Sequence, residues 1–276
     1  PPRSTLFPYT TLFRSKDSSA VFGAGEEGET TLKPVGSIDL FVARYDENGA
    51  LKWAKGAGGG YADAGAAVAA LADGSVVVVG IFGDKAVFGN GESRPVELTS
   101  AGFSDIFVAC YDEDGGLKWA KRAGGPDWDE GAGVAVLADG SVVVTGRFGG
   151  DAVFGPGEGK ETTLVSAGNS DIFIACYEKS GTLKWAKRAG GPITDAGLGV
   201  AACAGGGTLV TGIFEGRAAF GAPETGVTTL ESAGGSDIFI ARYDKTGALD
   251  WARRAGGKGA DEGLGIAAVE IGRAHV

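Results

Sequence analysis

The 276-residue chain has no methionine, one histidine, three cysteines and no apolar run approaching the roughly 18 residues that a membrane helix needs. Its lone imidazole, His275, lies second from the C-terminus. A Ser-His-Asp triad or a histidine-based metal centre needs more than that, so both classes are set aside. Basic residues are also in short supply, with 25 Lys and Arg against 35 Asp and Glu, a net charge of −10. Nucleic-acid phosphates are held by a Lys/Arg footprint, so no nucleic-acid partner is expected. Cys110, Cys176 and Cys203 make no even disulfide framework. Cys110 and Cys176 hold one position in successive repeats, where stacked sheets stand about 10 Å apart, and a bridge needs Cα atoms within about 7 Å. All three read as small buried hydrophobes. No 3.6-residue period is sustained, so the chain is poor in helix.

What the chain has is glycine, 51 residues of it, placed at fixed intervals between short apolar runs. That is the punctuation of an all-β protein. Trp53, Trp119, Trp185 and Trp251 are 66 residues apart, as are Asp39, Asp105, Asp171 and Asp237. Repeats fall at 37–102, 103–168 and 169–234, with a partial repeat at 235–269 and the tail of another at 16–36. In each, "DIFVACY" and "LKWAK" or their close counterparts flank a polar turn ending in Gly49, Gly115, Gly181 or Gly247, the glycine a hairpin loop needs for positive φ. A second hairpin joins a Gly/Ala/Val strand, "GAGVAVL", to the bulkier "SVVVTGRF". Each repeat thus carries four strands, one of them built from small residues that imply crowding. Strands apolar on both faces need cover on both. The pattern fits a β-propeller fragment of about three to four four-stranded blades forming an open arc; an open solenoid or a row of sandwiches is the alternative. The segment "AVFGPGEGKETTLVSAG" is expected to be a small hairpin inserted on one face.

The residues Asp105, Phe107, Gly124, Gly125, Asp129, Asp139, Gly140 and Gly146, in "SDIFVACYDEDGGLKWAKRAGG…DEGAGVAVLADGSVVVTG", resemble the bacterial SBBP-type β-propeller repeat over residues 37–269. The resemblance implies a secreted or cell-surface bacterial protein and assigns no catalytic residues. One repeat departs from it: Gly205 stands where the aspartate of "ADG" would be, which puts that turn in doubt.

Asp63, Asp129, Asp195 and Asp261 follow the glycine pair in each repeat and would meet at one rim. The favoured reading is that each caps its own loop's amides; as the weaker reading they are ligand-contact candidates for cations or sugar hydroxyls. Trp128 occurs in one repeat alone, in a polar loop, and is the aromatic contact candidate. The recurrent tryptophans read as packing between sheets. "YDEDGG" is a weak match to oxygen-rich calcium loops, since the spacing is incomplete and "YEKSGT" brings a lysine into it; no cofactor is assigned, with calcium the one candidate. The expected role is a non-enzymatic scaffold or recognition module with an unknown protein or glycan partner. The alternatives are a calcium- or carbohydrate-binding adhesion propeller, or part of a propeller-fold hydrolase or lyase using paired acids.

Both ends break the register. Residues 1–15, "PPRSTLFPYTTLFRS", and 270–276, "EIGRAHV", resemble translated sequencing-adapter DNA, so both are expected to be non-native and the chain a piece of a longer protein. Removing Arg3, Arg14, Arg273 and Glu270 leaves 22 basic and 34 acidic residues, a net of −12.

Overall fold

The structure is a computed structural model describing residues 19–36, 39–223 and 226–269. The two terminal segments with adapter-like sequence lie outside the described residues, as does His275.

A short hairpin, β1 (Ala20–Phe22) and β2 (Thr30–Leu32), precedes a long one, β3 (Leu40–Tyr45) and β4 (Leu51–Gly59). Next come β5 (Ala64–Ala70), β6 (Val76–Phe82), the short pair β7 (Lys85–Phe88) and β8 (Val96–Thr99), and the hairpin β9 (Asp105–Tyr111) and β10 (Leu117–Gly124). The cycle repeats as β11 (Asp129–Val136), β12 (Val142–Phe148), β13 (Asp151–Phe154), β14 (Thr162–Val165), β15 (Asp171–Tyr177) and β16 (Leu183–Ala189). In the last pass, β17 (Asp195–Ala202), β18 (Thr208–Ala222), β19 (Gly226–Tyr243) and β20 (Leu249–Ala255), the short pair is continuous with the long strands. All ladders are antiparallel, and the fold is all-β.

Beside the four-stranded sheet β3-β4-β7-β8 and the β1-β2 hairpin there are three four-stranded units, β5-β6-β9-β10, β11-β12-β15-β16 and β17-β18-β19-β20, the first of them extended to six strands by β13 and β14. Each takes its first two strands from one 66-residue repeat and its last two from the next. Sheet and repeat are therefore out of phase by one hairpin, because the β-branched strand β6 pairs along both edges, with β5 and with β9. Successive repeats are thereby laced together. The short hairpins differ from expectation in place: β13 continues the outer edge through Ala123↔Phe154 and Gly124↔Val153, and β7 does the same on β4. They lengthen the sheet's outer edge and do not sit on a face of the arc.

Between sheets lie dry layers. Val77, Val79, Ile106 and Val108 of one sheet meet Val142, Val144, Phe173 and Ala175 of the next, and Ile172 and Ile174 meet Val210, Phe239 and Ala241. Strands β9 and β15 are buried along their whole length, which explains their unbroken apolar sequence. The small-residue strands are where neighbouring sheets come closest: a Cβ on Gly131 would stand 2.5 Å from Val79 Cγ2. The sheets follow one another as an open propeller-like arc, and none closes into a barrel. Among the described residues no helix is long and apolar enough to cross a membrane.

Candidate functional site: the aspartate rim

At the end of each outer strand the chain makes a glycine-pair turn, and two aspartates converge on it. Gly124 has φ +143°, and a Cβ there would come 2.7 Å from Asp129 Oδ2 and 2.8 Å from Asp105 Cγ. Only glycine lets both carboxylates approach. Asp129 Oδ2 accepts from Gly125 N at 2.7 Å and Oδ1 from Gly149 N at 3.2 Å. Asp63 makes the same pair of bonds with Gly59 and Gly83, and Asp195 with Gly191 and Glu215. These three aspartates are fully buried. Asp261 is half-buried and accepts from Gly257 N at 2.8 Å. The recurrent carboxylates are thus turned into their loops, holding the backbone, and three of them present no surface to a ligand.

The second aspartate of each cluster is held by an arginine from the adjacent strand: Arg122 to Asp105 at 2.7 Å, Arg188 to Asp171 at 2.6 Å and Arg254 to Asp237 at 2.7 Å. Burial raises the Asp63, Asp129 and Asp195 carboxyls to about 7; the loop amides oppose this and the neighbouring aspartate adds to it. Asp105 and Asp171 are also raised by burial, with loop amides and the arginine acting against it.

The tryptophans join sheets. Trp53 Nε1 donates to Glu113 O at 2.9 Å, Trp119 Nε1 to Lys179 O at 3.0 Å and Trp185 Nε1 to Lys245 O at 3.2 Å. Each ring lies against the hairpin glycine of the following sheet; on Gly181, with φ +85°, a Cβ would be 2.6 Å from the Trp119 ring.

In the calcium-like loop, Asp112 Oδ1 accepts from Asp114 N and Gly116 N, so the turn itself uses the carboxylate. Among the described residues no three His, Cys, Asp or Glu side chains converge as metal ligands do. The turn at Gly205 keeps its shape without the aspartate, through Cys203 N to Gly207 O at 2.7 Å and Gly206 N to Cys203 O at 3.2 Å. All three cysteines are free; Cys110 and Cys176 are buried, with thiols pushed up to about 11 by burial, while Cys203 is only half-buried.

The rim also exposes a pair of aromatic side chains. Trp128 is 65% exposed and stacks on Phe103, itself 69% exposed, with ring centroids 6.2 Å apart and planes 13° from parallel. The bridge between Ser104 and Trp128 fixes the two loops side by side. Tyr61 and Ile193 are exposed in the equivalent loops of the neighbouring repeats. Phe103 carries the same sequence signal as Trp128, a large aromatic where the other repeats have Asn169 and Gly235. Phe103 was therefore as legible a contact candidate as Trp128, though only Trp128 is named from the sequence.

No family model matches the chain. It is 30% identical over 164 residues, 59% of its length, to the regulatory protein FlaEY of Caulobacter vibrioides. The matched segment amounts to 16% of that protein, so the similarity concerns a small part of a longer chain.

Proposed function

We propose that the protein is a non-enzymatic recognition module whose contact surface is the rim carrying Phe103 and Trp128. The observation that carries this reading is a division of labour along the rim. The recurrent polar residues are consumed by the fold, whereas the exposed large apolar residues at the same loops, Phe103, Trp128, Tyr61 and Ile193, fall at positions that differ between repeats. Aromatic pairs with one open face are common anchors for partners. The repetition itself supports a scaffold, since an active site is asymmetric and these repeats rebuild one geometry. The name of the FlaEY relative, a regulatory protein, is of a kind with a role other than catalysis. Resemblance to SBBP-type repeats supports a bacterial surface or secreted setting, with a protein or glycan as partner.

The test is an array of bacterial glycans and surface-protein ectodomains probed with the chain and with a Phe103→Ala/Trp128→Ala variant. The reading expects at least one ligand held by the parent and lost by the variant at unchanged melting temperature. Ligands retained equally by both, or turnover of a glycan that depends on one or two carboxylates, would overturn it.

A further inference from the structure

In three of the four aspartate clusters an arginine neutralises the inner aspartate, but the first cluster lacks it. Gly56 occupies the position of Arg122 and Arg188, pairing with Phe41 in the ladder as Arg122 pairs with Phe107 and Arg188 with Phe173. Asp39, the counterpart of Asp105, Asp171 and Asp237, is 7% exposed and accepts from the Val35 and Gly36 amides. It makes no ion pair among the described residues. In place of the guanidinium there is a cavity of about 190 Å³, walled by Asp39, Gly56, Leu32, Phe41, Val87 and Glu92. For scale, a cavity of about 150 Å³ can take up benzene, and a guanidinium is a smaller planar group.

We propose that this cavity is a guanidinium-binding site, taking an arginine side chain or a small guanidine in the place that Arg122, Arg188 and Arg254 fill in the other clusters. The same chain supplies the precedent three times over, on the same backbone and the same carboxylate. A planar fork matches a carboxylate edge better than an ammonium does. Lys33 and Lys55 also line the cavity but make no ion pair with Asp39: Lys55 is paired to Glu92 at 3.2 Å, and Lys33 is exposed to solvent. Burial raises the Asp39 carboxyl and the two loop amides oppose it, so an incoming cation would find a carboxyl without a counter-charge among the described residues. The site is independent of the aromatic rim and stands or falls separately.

Calorimetric titration of the full chain with methylguanidinium and with acetyl-Gly-Arg-Gly-amide tests this, with methylammonium and acetyl-Gly-Lys-Gly-amide as controls. The guanidine probes should saturate at one site and the ammonium probes should bind at least about tenfold more weakly. Saturation by both guanidines identifies a polypeptide arginine as ligand, and by methylguanidinium alone a small guanidine. Gly56→Arg should abolish binding and raise the melting temperature, since a Cβ on Gly56 meets only Leu32 Cδ1 at 3.9 Å and Leu40 O at 4.0 Å. Asp39→Asn should abolish binding as well. Equal binding of ammonium probes, absence of binding by both guanidines, or binding that survives Gly56→Arg would overturn the proposal.

Discussion

At the residue scale the energetics concentrate in buried aspartates. Asp129 satisfies two loop amides, and its removal leaves Gly125 N and Gly149 N without an acceptor. Each buried unpaired donor costs about 1–3 kcal/mol. Asp129→Ala should therefore lower unfolding stability by about that much per donor, and Asp261→Ala, half-buried with one amide, by less. Chemical denaturation of the two variants against the parent checks the order. The same burial dictates a pH response. Asp63, Asp129 and Asp195 have folded-state values of about 7, above the 3.8 of an ordinary aspartate. Between these limits the native state binds more protons than the unfolded chain, so their contribution to stability is present at low pH and is lost as pH rises towards 7. Surface aspartates act the other way: Asp46, Asp139 and Asp244 are lowered by their own turns' hydrogen bonds, and their contribution is lost only as pH falls below the ordinary range. Melting temperature should accordingly be higher near pH 5 than near pH 8, to an extent reduced in Asp129→Ala. A flat profile, or a rise towards pH 8, would show that these carboxyls ionise freely. The recurrence of the aspartates was legible in the sequence. Their inward orientation was the favoured expectation but not a decided one, because a turn aspartate that caps its own amides and one that faces a ligand occupy the same place in the pattern.

At the element scale the joint between sheets is the tryptophan that reaches into the next sheet's hairpin. Trp119 is 8% exposed, lies against Gly181 and donates to Lys179 O. Trp251 has the same place in its own hairpin but no such acceptor among the described residues, and its ring instead meets Arg253, 6.0 Å from the centroid. Substituting phenylalanine removes the indole donor and keeps most of the apolar surface. Trp119→Phe should cost about 1 kcal/mol or somewhat more through the unpaired carbonyl and the lost bond. Trp251→Phe should be close to neutral, and a reversal of that order in urea unfolding would mean the indole bond is not the joint. The strands themselves were legible: the 66-residue register, the hairpin glycines and the Gly/Ala inner strand all appear where the sequence puts them. The phase of the sheets was not. Either grouping of hairpins satisfies local periodicity, and the choice is made by the ladder between β6 and β9, which spans two repeats. The Gly56 substitution was visible by laying "LKWAKGAGG" over "LKWAKRAGG", yet it carries meaning only once Arg122 is seen to hold Asp105.

At the scale of the whole molecule, the inner sheets are covered by a neighbour on each face, and among the described residues the arc does not close. Among the described residues β20 pairs only with β19, leaving its other edge without a ladder, and beyond it Leu264 is 69% and Val269 83% exposed. Unpaired edges and apolar end faces are the sites through which stacked-sheet proteins associate. The net charge of −10 opposes this. Like-charged copies repel over about 30 Å at 0.01 M ionic strength and over only about 8 Å at 0.15 M, so raising salt should relieve the repulsion and leave the apolar contacts intact. Light scattering coupled to size exclusion should therefore show a mass that grows with both protein concentration and salt. Charge-mediated pairing predicts the opposite salt trend, and the two are separable in one experiment. A monomer at both salt concentrations that binds no hydrophobic dye would mean that the end faces are already covered, and that the arc is sealed by its own chain.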